Sequence, residues 1–186
     1  MLDHFDIIAP IYDKFLDHSD HGTLFKLLQL PKNGLLLDAG GGTGRVSSKL
    51  RASGMKIVIS DLSLKMLSQS HLKNDLIPVM AHVERLPFAD NTFDRIIVVD
   101  ALHHFCDQQN ALMDLVRVLK TDGRMVIEEP DIRRLPAKLI AFAEKLLLMR
   151  SHFLSPPAIQ EILSSNGIRT FIESENGFAS WVVVEK

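Results

Sequence analysis

The sequence predicts an α/β protein built as a three-layer doubly wound sheet, mostly parallel, of about seven strands with one antiparallel strand near the edge. Three observations lead there. Short apolar runs alternate with longer segments of helical period along the whole chain. The first five runs are nearly continuous in Leu, Ile and Val, the composition of strands covered on both faces. The last two are separated by only five residues, 174–178, too few for a crossover helix but enough for an antiparallel hairpin.

The strands are expected at 35–38, 56–60, 77–81, 95–100 and 124–129, with 170–173 and 179–184 closing the chain. Helices fall between them at 45–51, 63–71 and 107–119. In the last of these Leu112, Leu115, Val116 and Leu119 share one face. Ser155-Pro156-Pro157 starts another helix through Ile159, Ile162 and Leu163, and Asn166-Gly167 stops it. With 186 residues, 46% of them hydrophobic, the chain suits a single domain over 1–186 and leaves little room for a second.

Composition excludes several classes. Lys and Arg number 21 against 23 Asp and Glu, a net charge of −2 that gives no bulk attraction to phosphate backbones, so nucleic acid is not an expected partner. The one cysteine, Cys106, can make neither an internal disulfide nor a thiolate zinc site alone. The histidines and acids of 17–21 read as a solvated loop, and His103 with Cys106 lacks further ligands at sensible spacing, so no metal is expected. No apolar run approaches the roughly 20 residues a bilayer requires. The N-terminus carries acids where a signal peptide carries bases, so a cytoplasmic protein without membrane insertion is expected.

The most specific feature is Leu35-Leu36-Leu37-Asp38-Ala39-Gly40-Gly41-Gly42-Thr43-Gly44-Arg45, an apolar strand running into a glycine-rich turn with a helix expected behind it. Glycine serves where backbone takes positive φ or lies against a ligand. In a doubly wound sheet this turn sits at the carboxyl edge, where ligands bind. A dinucleotide fingerprint would place its third glycine where Arg45 stands. The carboxylate of Asp38 would repel a pyrophosphate and suits a ligand with a positive amino group. Asp61 ends the next strand, 21 residues after Gly40, in the position from which an acid accepts hydrogen bonds from ribose hydroxyls. As a bare acid at a helix start it would only complement the dipole.

With LLLDAGGGTGR, VISDLS at 58–63, AHVERLPFADNTFDRIIVVDALHHF at 81–105 and LKTDGRMVIEEPD at 119–131, the chain resembles the class I S-adenosylmethionine-dependent methyltransferases. Within them it is similar to the branch of the ubiquinone and menaquinone biosynthesis enzymes. Residues 5–13 (FDIIAPIYD) resemble that branch's N-terminal segment. The resemblance implies a Rossmann-like fold, a helical lid over 1–30 and S-adenosylmethionine as cofactor, with S-adenosylhomocysteine as product. It implies that Asp38, Gly40 and Gly42 hold the methionine part, that Asp61 holds the ribose, and that Leu62 lies against the adenine with the Val83 main chain at its edge. Asp100 and Ala101 fall near the sulfonium, and Tyr12 closes over the amino-acid end. His82 stands where many relatives carry an acid that accepts from the adenine amino group. A neutral imidazole can accept there and a protonated one cannot, which predicts weaker cofactor binding at low pH.

Methyl transfer from a sulfonium is an in-line displacement in which the protein chiefly binds, aligns and excludes water. Where the nucleophile carries a proton, His103 and His104, just past the fourth strand, are the candidate catalytic bases; otherwise one packs and the other lines the pocket. Glu128, Glu129 and Asp131, at the fifth strand's end on the active edge, are placed either to touch substrate or, as such acids more often do, to form a polar rim. The expected acceptor is a small molecule, because Val99-Asp100-Ala101-Leu102 lacks the Pro-Pro-aromatic motif of enzymes acting on base or glutamine nitrogens. The variable segment 130–155, with Leu135, Leu139, Ile140, Phe142, Leu146, Leu147 and Met149, would wall a substrate pocket or bury itself in the core or a homodimer contact. Two rivals stand beside this reading: a non-catalytic cofactor-binding protein or partner subunit, and a nicotinamide-dependent oxidoreductase, which Arg45 and Asp38 disfavour.

Overall fold

A computed structural model describes residues 21–73, 75–135, 137–139, 151–173 and 179–186. Helix α1 (His21–Leu28) precedes strand β1 (Leu35–Ala39). Strand β2 (Lys56–Asp61), helix α2 (Leu64–His71) and strand β3 (Leu76–Met80) follow. Strand β4 (Phe93–Val99), helix α3 (Gln108–Val118) and strand β5 (Leu119–Pro130) form the second half. Helix α4 (Pro156–Ser164) and strands β6 (Arg169–Glu173) and β7 (Ala179–Glu185) close the chain. The seven strands form one sheet in the order β3-β2-β1-β4-β5-β7-β6. β1 to β5 pair in parallel, and β7 runs antiparallel to both β5 and β6. The reversed strand therefore lies one place in from the edge, as the short connection at 174–178 requires.

The period-two alternation of the buried strands builds the three layers. Leu37, Val58, Ile96, Val98, Met125 and Ile127 face α3 and α4 through Leu112, Leu115, Ile159 and Leu163. Leu36, Ile57, Ile59, Ile97 and Val126 face the other way, onto Leu24 and Leu28 of α1, Leu67 of α2, and Leu50 of the segment that follows the glycine turn. Each such fully buried Leu or Ile contributes about 1.5–3 kcal/mol. The helices start where side chains supply a cap: Ser63, Asp107 and Ser155 each accept a backbone N–H from the first turn. Both sheet edges are guarded. β3 carries Pro78, which has no N–H, and on β6 the Arg169 guanidinium lies 5.7 Å from the Phe171 ring centre. None of the described helices is long and apolar enough to cross a membrane.

Two local expectations change. Behind the glycine turn the chain makes further turns and then a 3-10 segment, Ser47–Ser53, in place of an α-helix over 45–51. Gly54, at φ +82, ends it after two tight turns. β5 begins earlier than 124, because Leu119 already pairs with Phe93. The pairing then breaks until Arg124 meets Arg95, and Asp122, at φ +65, takes up the extra residues.

Candidate functional site

The chain winds from β1 outward through β2 to β3, then returns to lay β4 and β5 on the other side of β1. At the carboxyl ends of β1 and β4 the connections part, and a ligand crevice opens at such a switch point. A cleft of about 970 Å3, its open mouth included, lies there. One side is the turn Gly40–Thr43 with Asp38 beneath it. Asp61, Leu62, Ser63 and Met66 follow β2, Ala81, Val83 and Glu84 follow β3, and Asp100, Ala101, His104, Phe105 and Cys106 follow β4.

The end of β2 holds the glycine turn. Gly40 N–H donates to the Ser60 carbonyl at 2.7 Å, and Gly42 N–H donates to Asp61 Oδ2 at 3.0 Å. Gly40 has φ +72, and a Cβ there would meet the Ala101 Cβ at 2.6 Å. This glycine thus lets β1 and the loop after β4 touch. Gly42 has φ +53, but a Cβ there would find only Asp61 and Met66, beyond 3.7 Å. Its missing side chain leaves room over the turn.

Two carboxylates set the electrostatics. Asp38 is 2% exposed and accepts a 2.6 Å hydrogen bond from Ser47 Oγ. Burial, with the Asp61 charge adding to it, pushes its carboxyl up to about 6 against the pull of Ser47 and Arg45. A cation placed beside it would restore its charge. Asp61 is bound on both oxygens, Oδ2 by Gly42 N–H and Oδ1 by Ser63 N–H at 2.8 Å. Carboxylate oxygens are acceptors only, the chemistry that a ligand hydroxyl requires.

Opposite stands the loop after β4. Asp100 sits in the left-handed region at φ +54, its N–H donating to the Glu128 carbonyl at 2.9 Å. Such a conformation costs about 1–3 kcal/mol in a residue other than glycine and persists only where its surroundings impose it. The next two N–H groups, of Ala101 and Leu102, donate to Glu129 Oε1 at 2.9 and 2.7 Å, and His103 Nδ1 lies 2.6 Å from Glu129 Oε2. His103 is buried and stacks on Phe153 with ring centres 4.2 Å apart. His104 turns to the cleft, its Nδ1 3.3 Å from Ser151 Oγ. Burial, and then the neighbouring His103, lower His104 to about 3, so its ring is neutral at ordinary pH.

Of the residues singled out in the sequence, Asp38, Gly40, Gly42, Asp61, Leu62, Val83, Asp100 and His104 line this one cleft. His103 does not line it. His82 also stays outside the lining; its side chain is 66% exposed, 3.7 Å from the Glu84 carboxylate. Tyr12 and the rest of 1–20 lie outside the described residues, as do 140–150 of the 130–155 segment; Leu135 and Leu139 of that segment are exposed. The acids at the end of β5 form no polar rim. Glu128, Glu129 and Asp131 are all buried, Glu129 under the loop and Asp131 against Arg133 and Ser180. Two residues support the site in roles that the sequence did not reveal: Ser47, which it left unmarked, and Glu129, which it grouped with the acids at the end of β5. Their partners lie 9 and 26 residues away, so no local pattern announces them.

Comparison with known proteins fits this geometry. Residues 37–127 match the methyltransferase domain family. The chain is 32% identical over 144 residues to the ubiquinone/menaquinone biosynthesis C-methyltransferase of Hahella chejuensis, covering 67% of this chain and 57% of that protein. It is 34% identical over 140 residues to the demethylmenaquinone methyltransferase of Corynebacterium urealyticum, covering 75% and 57%. The chain thus spans somewhat over half the length of these relatives. Among solved structures, the fold matches a Haloferax volcanii methyltransferase complex with the Trm112 activator, TM-score 0.84 at 16% identity, covering 100% of this chain and 98% of that one. It also matches a SAM-dependent methyltransferase from Aquifex aeolicus, TM-score 0.77 at 19% identity, covering 99% and 98%.

Proposed function

Because the chain belongs to the class I S-adenosylmethionine-dependent methyltransferases, we propose that it transfers a methyl group from S-adenosylmethionine to a small, largely apolar acceptor of the quinol or phenol type. The observation that carries this reading is the pairing of Asp38 and Asp61 around a glycine turn that leaves space above Gly42. Cofactor chemistry fits that donor set. Asp38, buried and short of a cation, takes a positive amino group, and the Asp61 oxygens take hydroxyl donors. Leu62 and Val83 offer apolar surface to a flat ring, and Gly40 and Gly42 offer close backbone approach. A pyrophosphate would instead face two acids.

When bound, the sulfonium supplies an electrophilic methyl group that leaves a neutral thioether behind. The protein's own contribution is to bind, orient and exclude water. Asp100, Ala101, His104 and Phe105 form the wall that an acceptor would meet. With its ring held near pKa 3, His104 is a weak proton acceptor at neutral pH, and we assign it a hydrogen-bonding role toward the acceptor. His103, buried against Glu129, supports that wall from behind.

The test is a thermal-shift comparison of S-adenosylmethionine, S-adenosylhomocysteine and NAD, followed by methyl transfer from labelled S-adenosylmethionine to a panel of reduced quinones and phenols. A ligand at a hundred times its dissociation constant stabilises by about 2.7 kcal/mol, several degrees for a domain of this size. Stabilisation by both adenosyl compounds, with label reaching an acceptor, is the expected result. Stabilisation by NAD alone overturns the cofactor assignment, and binding without transfer to any acceptor overturns the catalytic one.

A further inference from the structure

We propose that Glu129 is a positioning residue, the buried side chain that holds the first turn of the loop after β4, at Ala101, Leu102 and His103, and with it the acceptor wall of the cleft. The inference deepens the reading of this cleft as a cofactor and acceptor site and rests on it for its consequence, but its geometry stands alone. Glu129 is 4% exposed, lies on β5 and does not line the cleft. Its two oxygens nevertheless engage three consecutive residues of the wall: Ala101 and Leu102 through their N–H groups, and His103 through Nδ1 at 2.6 Å. These follow immediately on Asp100, whose left-handed backbone persists only under such restraint. A carboxylate that accepts three hydrogen bonds in a buried place is far stronger as an anchor than one in water.

The position so fixed matters because the loop has no slack on its other side. Gly40 leaves so little room that a Cβ there would stand 2.6 Å from the Ala101 Cβ, so a shift of Ala101 alters the glycine turn directly. The anchor extends to a third segment. The His103 carbonyl accepts the His152 N–H at 2.8 Å, and Phe153 stacks on the His103 ring. Gln108 Nε2 donates to the carbonyls of Leu102 and His152, at 2.9 and 2.6 Å. One buried carboxylate thereby registers the end of β5, the loop after β4 and the strand of chain entering α4. What it governs is alignment at the acceptor side; the groups assigned to the cofactor, Asp38 and Asp61, are held by Ser47, Gly42 and Ser63 instead.

Cys106, exposed at the far end of this loop and lining the cleft, provides a built-in reporter, and it is the one thiol in the chain. The experiment measures its labelling by a thiol reagent in the full chain for the wild type, Glu129→Gln, Glu129→Asp and Asp131→Asn, with and without S-adenosylhomocysteine. Gln keeps the reach, since its Oε1 can hold both N–H groups while its amide meets the other tautomer of His103. Asp withdraws the carboxylate by one carbon and cannot serve all three partners. Asp131→Asn disturbs a buried acid two residues away that ties Arg133 and Ser180 and stays clear of the cleft.

In the unliganded protein, E129D shifts the labelling rate by about tenfold, while E129Q and D131N stay within about twofold of wild type even where their melting temperatures fall. Wild-type labelling in E129D, an equal shift in D131N, or a shift in E129Q larger than in E129D overturns the proposal; the last would make charge rather than reach decisive. S-adenosylhomocysteine at a hundred times its dissociation constant slows wild-type labelling by up to about 100-fold where the complex covers Cys106. A wild-type rate and melting temperature both indifferent to S-adenosylhomocysteine overturn the cofactor reading separately, and the unliganded comparison still decides the role of Glu129.

Discussion

Asp38 carries the sharpest consequence at the scale of one residue. Its carboxyl is raised to about 6 by burial, so keeping it ionised at pH 7 destabilises the unliganded fold by roughly 3 kcal/mol relative to an ordinary aspartate. An asparagine has the same shape and no charge to desolvate. Asp38→Asn is therefore expected to raise the unfolding free energy of the unliganded chain by about 1–3 kcal/mol, and to weaken S-adenosylmethionine binding at least about tenfold for want of a partner to the amino group. Chemical denaturation and calorimetry read the two effects in one preparation. A variant that is less stable than wild type, or that binds equally well, sinks the assignment. The same group gives a pH dependence: affinity for the cationic ligand falls as pH drops through about 6 and Asp38 protonates. The exposed His82 was expected to produce such a fall, so His82→Ala separates the two sources.

At the scale of the element, the glycine turn and the loop after β4 behave as one unit. Gly40→Ala requires a methyl group at positive φ and within 2.6 Å of another methyl carbon, with Phe105 at 3.2 Å behind it. We expect a loss of about 2–4 kcal/mol in urea unfolding together with loss of the adenosyl-compound thermal shift, because β1 and the β4 loop must separate. Gly42→Ala has space, so its stability cost is only the left-handed backbone, about 1 kcal/mol. Near-equal destabilisation of the two variants would contradict the contact.

How far each element was legible follows from the range of its causes. The strands were readable because burial on both faces forces unbroken Leu-Ile-Val runs such as Leu35–Leu37 and Ile96–Val99, and the reversed strand because five residues cannot cross a sheet. Asp38, Gly40, Gly42 and Asp61 were readable because turn chemistry and strand ends are local. The segment behind the turn was misread as α-helix, since the 3-10 winding of Ser47–Ser53 and its stop at Gly54 leave the same apolar spacing over so short a stretch. Glu129 looked like surface charge because its partners come from the loop after β4, reached only once the sheet is assembled.

For the molecule as a whole, two site residues pull the pH dependence of folding in opposite directions. Asp38, raised from 3.8 to about 6, binds a proton more readily when folded, so its contribution grows as pH falls from above 6 toward 4. His104, lowered from 6.5 to about 3, resists protonation when folded, so its contribution declines as pH falls from about 6.5 toward 3. Between pH 7 and 5 each amounts to roughly 1–2 kcal/mol and they largely offset. Wild-type unfolding free energy should thus change little over that interval. Asp38→Asn should fall by about 2 kcal/mol and His104→Gln should rise by about 1, read from denaturation curves at pH 7 and pH 5. Parallel curves for all three proteins would refute the offset. Below pH 4 another loss follows, as Asp131, held near 2 by Arg133 and Ser180, finally protonates.

Pro78 has a consequence of another kind. The edge strand β3 also bears Ile77 and Met80, both large, apolar and substantially open to solvent. Such a border invites a neighbouring chain to continue the sheet, molecule after molecule, into a fibre. A proline in the outermost strand removes a donor that the next strand would need, and the run of pairing is interrupted within five residues. The greasy rim is thereby compatible with a protein kept at high concentration, because growth by strand addition meets a stop at its first step.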